Sequence, residues 1–151
     1  MKTWYKAKVA YSKEDEQGRA RNVTEEYLMD ALSFTEAEAK IHEEMKARVM
    51  GSFQVKAITK SRITDVFEYD DSDVFYQCKL VYMISDADSG REKKEVNLML
   101  IHAHNVQEAY ERVHDQMNNL LVTFSVPEVK ESLVLEVFHH VGTKEEGGNG
   151  E

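Results

Sequence analysis

The chain reads as an α+β protein made by tandem duplication of a ββαβ unit, with its helices packed on antiparallel sheet and its halves related by a pseudo-two-fold axis. Three observations predict this. SFTEAEAKIHEEM (33–45) returns as NVQEAYERVHDQM (105–117), apolar positions correspond along both halves, and period-two strands precede each helix. WYKAKVAY (4–11) aligns with FYQCKLVY (75–82), which places Tyr5, Lys8 and Tyr11 on Tyr76, Lys79 and Tyr82. After a one-residue insertion, Leu28, Ala31, Glu36, Ala37, His42 and Met45 fall on Leu100, Ala103, Glu108, Ala109, His114 and Met117. SRITDVF (61–67) then meets SLVLEVF (132–138).

Each element follows from local chemistry. Alternation in the first strand sends Tyr5, Ala7, Val9 and Tyr11 to one face and Trp4, Lys6 and Lys8 to the other. KEDEQG and SDADSG carry residues that bond their own backbone or accept positive φ, so they close hairpins. The second strands run through EEYLMDAL and VNLMLIHA. Ser33 with Glu36, and Asn105 with Glu108, form capping boxes that start the helices. The helical apolar stripes are Phe34, Ala37, Ile41 and Met45, then Val106, Ala109, Val113, Met117 and Leu120. An extended segment closes each unit.

A lone unit of this kind has open sheet edges and too little core, so duplication supplies a built-in partner. The expected division is residues 1–71 and 72–140 around one shared core, with 141–151 a disordered tail. A chain of 151 residues buries roughly 70% of its unfolded surface, enough for a real core. Cys78 is the only cysteine, which excludes an intramolecular disulfide and a multi-cysteine zinc site and fits a reducing compartment. MKTWYKAKVAYSK has no apolar stretch of signal-peptide length and no run approaches membrane-spanning length, so the expected location is the cytoplasm.

KTWYKAKVAY (2–11), TEEYLMDALSFTEAEA (24–39) and the SRITDVF close resemble a family of short bacterial and phage proteins of the Bacteroides group, known only as a domain of unknown function. The likeness covers nearly the whole chain, with a weaker echo in the second half. The family more often carries Cys where this chain has Ala7, so no thiol role carries over there. The resemblance implies no activity, and no site residue is taken from it.

The chemistry-bearing residues give no catalytic constellation, cofactor loop or metal set. GGNG (147–150) sits in the tail rather than between a strand and a helix. Cys78 falls on the core face of its strand and reads as a packing thiol. His102 and His104 are two apart, but Asp30 and Leu32 hold the corresponding places, and His139–His140 ends the second unit without a completing carboxylate. His42 and His114 recur at one helix position and point to a helix-surface or packing role. Asp86-x-Asp88-x-Gly90 lacks the later acidic ligands of a calcium loop and reads as a turn.

Net charge is −9, which opposes bulk binding to phosphate backbones. The charge is uneven: residues 1–71 hold 12 Lys+Arg against 14 Asp+Glu, residues 72–151 hold 7 against 14. The leading expectation is therefore a non-catalytic protein-binding adaptor or regulator with an unknown protein partner. The alternative is single-stranded nucleic acid on the outer face of the first unit. Trp4, Lys6 and Lys8 with Arg19, Arg21, Lys56, Lys60 and Arg62 would supply a stacking ring beside backbone-following cations.

Overall fold

The computed structural model describes residues 3–121 and 123–139 and is α+β, with two helices and two four-stranded mixed sheets. In chain order the elements are β1 (Thr3–Glu14), β2 (Ala20–Ala31), α1 (Phe34–Arg48), β3 (Phe53–Lys60) and β4 (Ile63–Phe67). They continue with β5 (Phe75–Ser85), β6 (Glu92–His102), α2 (Val106–Gln116), β7 (Phe124–Glu131) and β8 (Val134–Phe138). The expected tail, 141–151, and His140 lie outside the described residues.

Local chemistry sets the boundaries much as the sequence implies. The β1–β2 turn places Gly18 at φ 80°, and the β5–β6 turn places Gly90 at φ 71°, where a side chain would be strained. Asp15 Oδ1 accepts from Gln17 N–H, and Asp86 Oδ1 accepts from Asp88 N–H, so both turns are closed by an aspartate at their start. The helix caps form: Glu36 N–H donates to Ser33 Oγ at 3.1 Å, and Glu108 N–H to Asn105 Oδ1 at 2.7 Å. In return each glutamate accepts from the residue before its cap, Leu32 N–H and His104 N–H respectively.

Two expectations are corrected. The extended segment after each helix is two strands, so the order in each half is ββαββ rather than ββαβ. The sheets are mixed rather than antiparallel: their orders are β3-β1-β2-β8 and β4-β6-β5-β7, with β8 parallel to β2 and β4 parallel to β6. One cause accounts for both. Only Ser61–Arg62 separates β3 from β4, and only Ser132–Leu133 separates β7 from β8. A two-residue hairpin favours positive φ within its loop, neither link contains Gly, Asn or Asp, and no described non-glycine residue has positive φ. Ser61 N–H and Ser132 N–H extend the preceding ladders, donating to the carbonyls of Trp4 and Phe75 at 2.7 and 2.8 Å. The chain runs on instead of doubling back, and each short strand joins a different sheet from the strand before it.

The compact units reflect this. One comprises the described residues up to 61 with those from 134 onward, the other residues 62–133. In the first, Ala37, Ile41 and Met45 of α1 pack on Tyr5, Ala7, Val9, Tyr27 and Met29, with Phe138 from β8 completing the cluster. In the second, Ala109 and Val113 of α2 pack on Tyr76, Cys78, Leu80, Met99 and Ile101, flanked by Phe67 and Tyr69. The helical stripes are shorter than expected. Phe34 and Val106, at the first helical positions, are half exposed, and α2 ends at Gln116, leaving Leu120 outside it. Asn118 and Asn119 follow, residues that favour turns over helix.

Strand β8 is fastened by stacking and charge. Phe138 lies on Tyr27 with ring centroids 5.3 Å apart and planes inclined 15°. The Arg48 guanidinium sits 4.9 Å from the Phe138 centroid and donates to Glu136 Oε2 at 2.6 Å. Phe138→Ala should cost about 3–5 kcal/mol in denaturant unfolding, whereas Leu135→Ala on the exposed side of the same strand should stay within about 0.5 kcal/mol. Because each unit takes a strand from across a two-residue link, thermal unfolding should follow one transition by calorimetry. Residues 1–71 alone should be unfolded or dimeric by light scattering, and a stable monomeric fragment would contradict the crossing.

Candidate functional site

The basic and aromatic residues of the first unit are only partly brought together. Trp4, Lys6 and Lys8 share the β1 face that points away from α1, with Trp4 and Lys6 half-buried and Lys8 exposed. The Trp4 ring meets His139 edge-on at 6.1 Å. Lys6 Nζ lies 3.6 Å from Glu26, so an acid stands among the cations of this face. Leu28 and Asp30, the β2 partners of Lys6 and Trp4, are 1% and 3% exposed. The open part of the face therefore begins near Lys8.

The remaining cations are dispersed. Arg19 lies in the turn before β2, and Arg21 pairs with Lys13, which alternation puts on the Tyr5 and Ala7 side. Lys56 occupies the β3 bulge beside Lys8 and Val9. Lys60 pairs with Tyr5, on the α1 side, and Arg62 is exposed in the link to β4, in the other unit.

Sheet edges are poorly suited to adding a partner strand. Edge β3 carries Lys56, Lys60 and a bulge, and edge β7 carries Pro127, Glu128, Lys130 and a bulge. The other edges, β4 and β8, are five residues long. Charge, proline, bulges and brevity all discourage edge pairing.

The second unit offers a different surface. On the face of β5 and β6 away from α2, Val81 pairs with Val96, Met83 with Lys94, and Lys79 with Leu98. Met83 and Val96 are 43% and 45% exposed, with Val81 and Leu98 half-buried beside them. The aligned positions in the first half are Ala10, Ser12, Thr24 and Glu26, so an apolar strip stands where its counterpart is small or polar.

A polar cluster lies at the start of α2. Arg112 Nη1 donates to the His102 carbonyl at 2.9 Å and Nη2 to Asp71 Oδ2 at 2.6 Å, with the guanidinium 4.1 Å from the Tyr69 centroid. His104 Nδ1 lies 2.7 Å from Glu108 Oε1 and Nε2 lies 2.6 Å from the Asp71 carbonyl. His102 stacks on Phe75 at 3.8 Å, and its Nδ1 accepts from Tyr69 N–H. Burial holds the His102 ring below the usual histidine range. The hydrogen bond from Arg112 holds the Asp71 carboxyl below its ordinary value. These roles were missed in the sequence, where only the spacing His104, Glu108, Arg112, each four apart, carries a signal. Asp71 comes from a separate segment and has no such signal.

Other chemistry-bearing residues are in packing roles. Cys78 is fully buried, which pushes its thiol up to about 11. His42 lies against Phe53, and His114 between Tyr110 and Phe124. Tyr11 and Tyr27 both donate to Glu25 Oε1, at 2.9 and 2.6 Å, and burial followed by that bond raises both phenols. Among the described residues no group of three His, Cys, Asp or Glu is placed to hold a metal ion, and no helix is long and apolar enough to cross a membrane.

In comparisons with known proteins, a family model described as Domain of unknown function (DUF4494) matches residues 3–140. No curated protein and no solved structure matches the chain. Cys78 should resist alkylation in the folded chain at neutral pH and react at once in denaturant, as followed by mass spectrometry. Rapid labelling of the native protein would show that the thiol is reachable.

Proposed function

The chain belongs to the DUF4494 family, and we propose that it is a non-catalytic adaptor or regulator that binds a protein through the outer sheet face of its second unit. The observation that carries this reading is the strip of Val81, Met83, Val96 and Leu98. Strand residues on a solvated face ordinarily alternate to polar, as Ser12, Thr24 and Glu26 do in the aligned strands. Apolar side chains left partly exposed at those places gain by being covered. The expected setting is the cytoplasm of a bacterium or of a phage-infected cell.

We further propose that the two halves arose by tandem duplication. Supporting this are the repeated element order, the equivalent caps and turn glycines, and bulges at matching places in both halves, after Lys8 and after Lys79. Duplication supplies two sheets of one design, of which one can keep a polar face while the other turns apolar.

The competing reading is single-stranded nucleic acid on Trp4, Lys6 and Lys8. It has an exposed Lys8 and a nearby Lys56 in its favour, and the dispersal of the other cations and the net charge of −9 against it.

Met83→Glu with Val96→Glu should abolish capture of a protein partner from nuclease-treated lysate while leaving the melting temperature within about 2 °C, because both side chains are solvent-facing. Capture that persists in that variant would remove the strip from consideration. Oligonucleotide titration should give only weak binding. Tight, salt-sensitive binding that is lost on Lys6→Glu with Lys8→Glu, and that loses about 1–3 kcal/mol on Trp4→Ala, would favour the nucleic-acid reading.

A further inference from the structure

The segment between β4 and β5, residues 68–74, is fastened to the end of β6 and to α2. Its Tyr69 N–H donates to His102 Nδ1, its Asp71 carboxylate accepts from Arg112, and Ser72 Oγ donates to the Ala103 carbonyl at 2.6 Å. Ala103 N–H donates to the Val74 carbonyl and Gln116 Nε2 to the Tyr69 hydroxyl, and a further contact joins the Asp71 carbonyl to His104 Nε2. His104 is bound at both ring nitrogens, to a carboxylate at Nδ1 and a carbonyl at Nε2. Both partners only accept. A neutral imidazole has one N–H and one lone pair, so it satisfies one contact and turns a lone pair on the other. The imidazolium alone donates to both.

We propose that His104 is a proton-operated latch: with a proton on each ring nitrogen it ties residues 68–74 to the start of α2, and deprotonation removes that tie and loosens the segment against its other anchors. The charged groups around the ring are Glu108 and Asp71, with Arg112 touching both carboxylates at 3.5 and 2.6 Å. The Glu108 bond is the main reason the imidazole is held above its ordinary range, with the Asp71 carbonyl next. Glu108 is itself held below the carboxylate range, first by the His104 N–H and then by the ring.

The direction of the pH effect follows from linkage. A group whose pKa is raised in the closed state contributes stability that is fully present below its open-state pKa and is lost as pH rises through the closed-state value. Glu108 has the opposite sign: its contribution is present above its open-state pKa and is lost as pH falls through the lowered closed-state value. The latch is therefore complete between the open-state pKa of Glu108 and the open-state pKa of His104, and it is lost as pH rises from the ordinary histidine value through the raised closed-state one.

The first half has no such device. Leu32 occupies the place of His104, and its N–H makes the same bond to Glu36 that His104 N–H makes to Glu108. The backbone contact thus belongs to the helix cap, and the ring adds the switch.

The test is a histidine NMR titration of the full chain, with amide protection factors for residues 69–74 measured across the same pH range. Each pKa unit separating closed from open states makes closing about tenfold more favourable at low pH than at high. The expected result is a His104 midpoint above the ordinary histidine value and a several-fold loss of protection through that midpoint. Glu108→Gln, which keeps an accepting oxygen, should lower the midpoint. His104→Leu, the residue found at the aligned place, should keep the fold and remove the pH dependence. A midpoint at or below the ordinary value, or protection in 69–74 that does not change through it, would overturn the latch.

Discussion

A two-residue turn that brings a strand back on itself favours a positive φ, because only then does its twist match that of the strands. Ser61–Arg62 and Ser132–Leu133 offer none. The mixed sheets, the division of the chain into units and the placement of β4 and β8 follow from those links. Each sheet is a three-stranded antiparallel core closed on one side by a parallel strand that arrived across a link. That strand brings its own fastening, Phe138 on Tyr27 beneath Arg48 in one unit and Phe67 with Tyr69 beside Arg112 in the other. In both cases an arginine from the helix lies over an aromatic ring and pairs with a nearby acid, Glu136 or Asp71. The cation holds the incoming segment by geometry as much as by charge, since guanidinium stacks on a ring while donating sideways.

Much of the fold was legible in the sequence because its signals are local. Alternation in WYKAKVAY gave the buried face, Ser33 and Asn105 gave the helix starts, and the aspartates with Gly18 and Gly90 gave the hairpins. What the sequence concealed depends on partners distant along the chain. SRITDVF and SLVLEVF read as extended, but extension does not say which strand they meet, and the parallel register of β4 on β6 spans more than thirty residues. The cue that was present, a two-residue gap without Gly, Asn or Asp, excludes a hairpin rather than naming an alternative.

The functional surfaces were less legible for the same reason. Lys6 and Arg21 look alike in a list of cations, yet their registers put them on opposite sides of one sheet, and only the pairing of Arg21 with Lys13 reveals it. Asp71 and His104 are polar residues in polar surroundings until the fold brings the Asp71 carbonyl to the ring nitrogen. The apolar strip is the exception. Val81, Met83, Val96 and Leu98 are visible by comparison with the aligned half, once that half is known to expose the same face.

The crossing of the two links underlies every other feature of the fold, and backbone NOEs on isotope-labelled protein test it most directly. The predicted result is a parallel pattern joining residues 26–29 to 134–138 and another joining 98–101 to 63–67. Antiparallel contacts between 53–60 and 63–67, or between 124–131 and 134–138, would mean that the chain turns back at its serines. They would contradict the crossing and leave the mixed sheets without a cause.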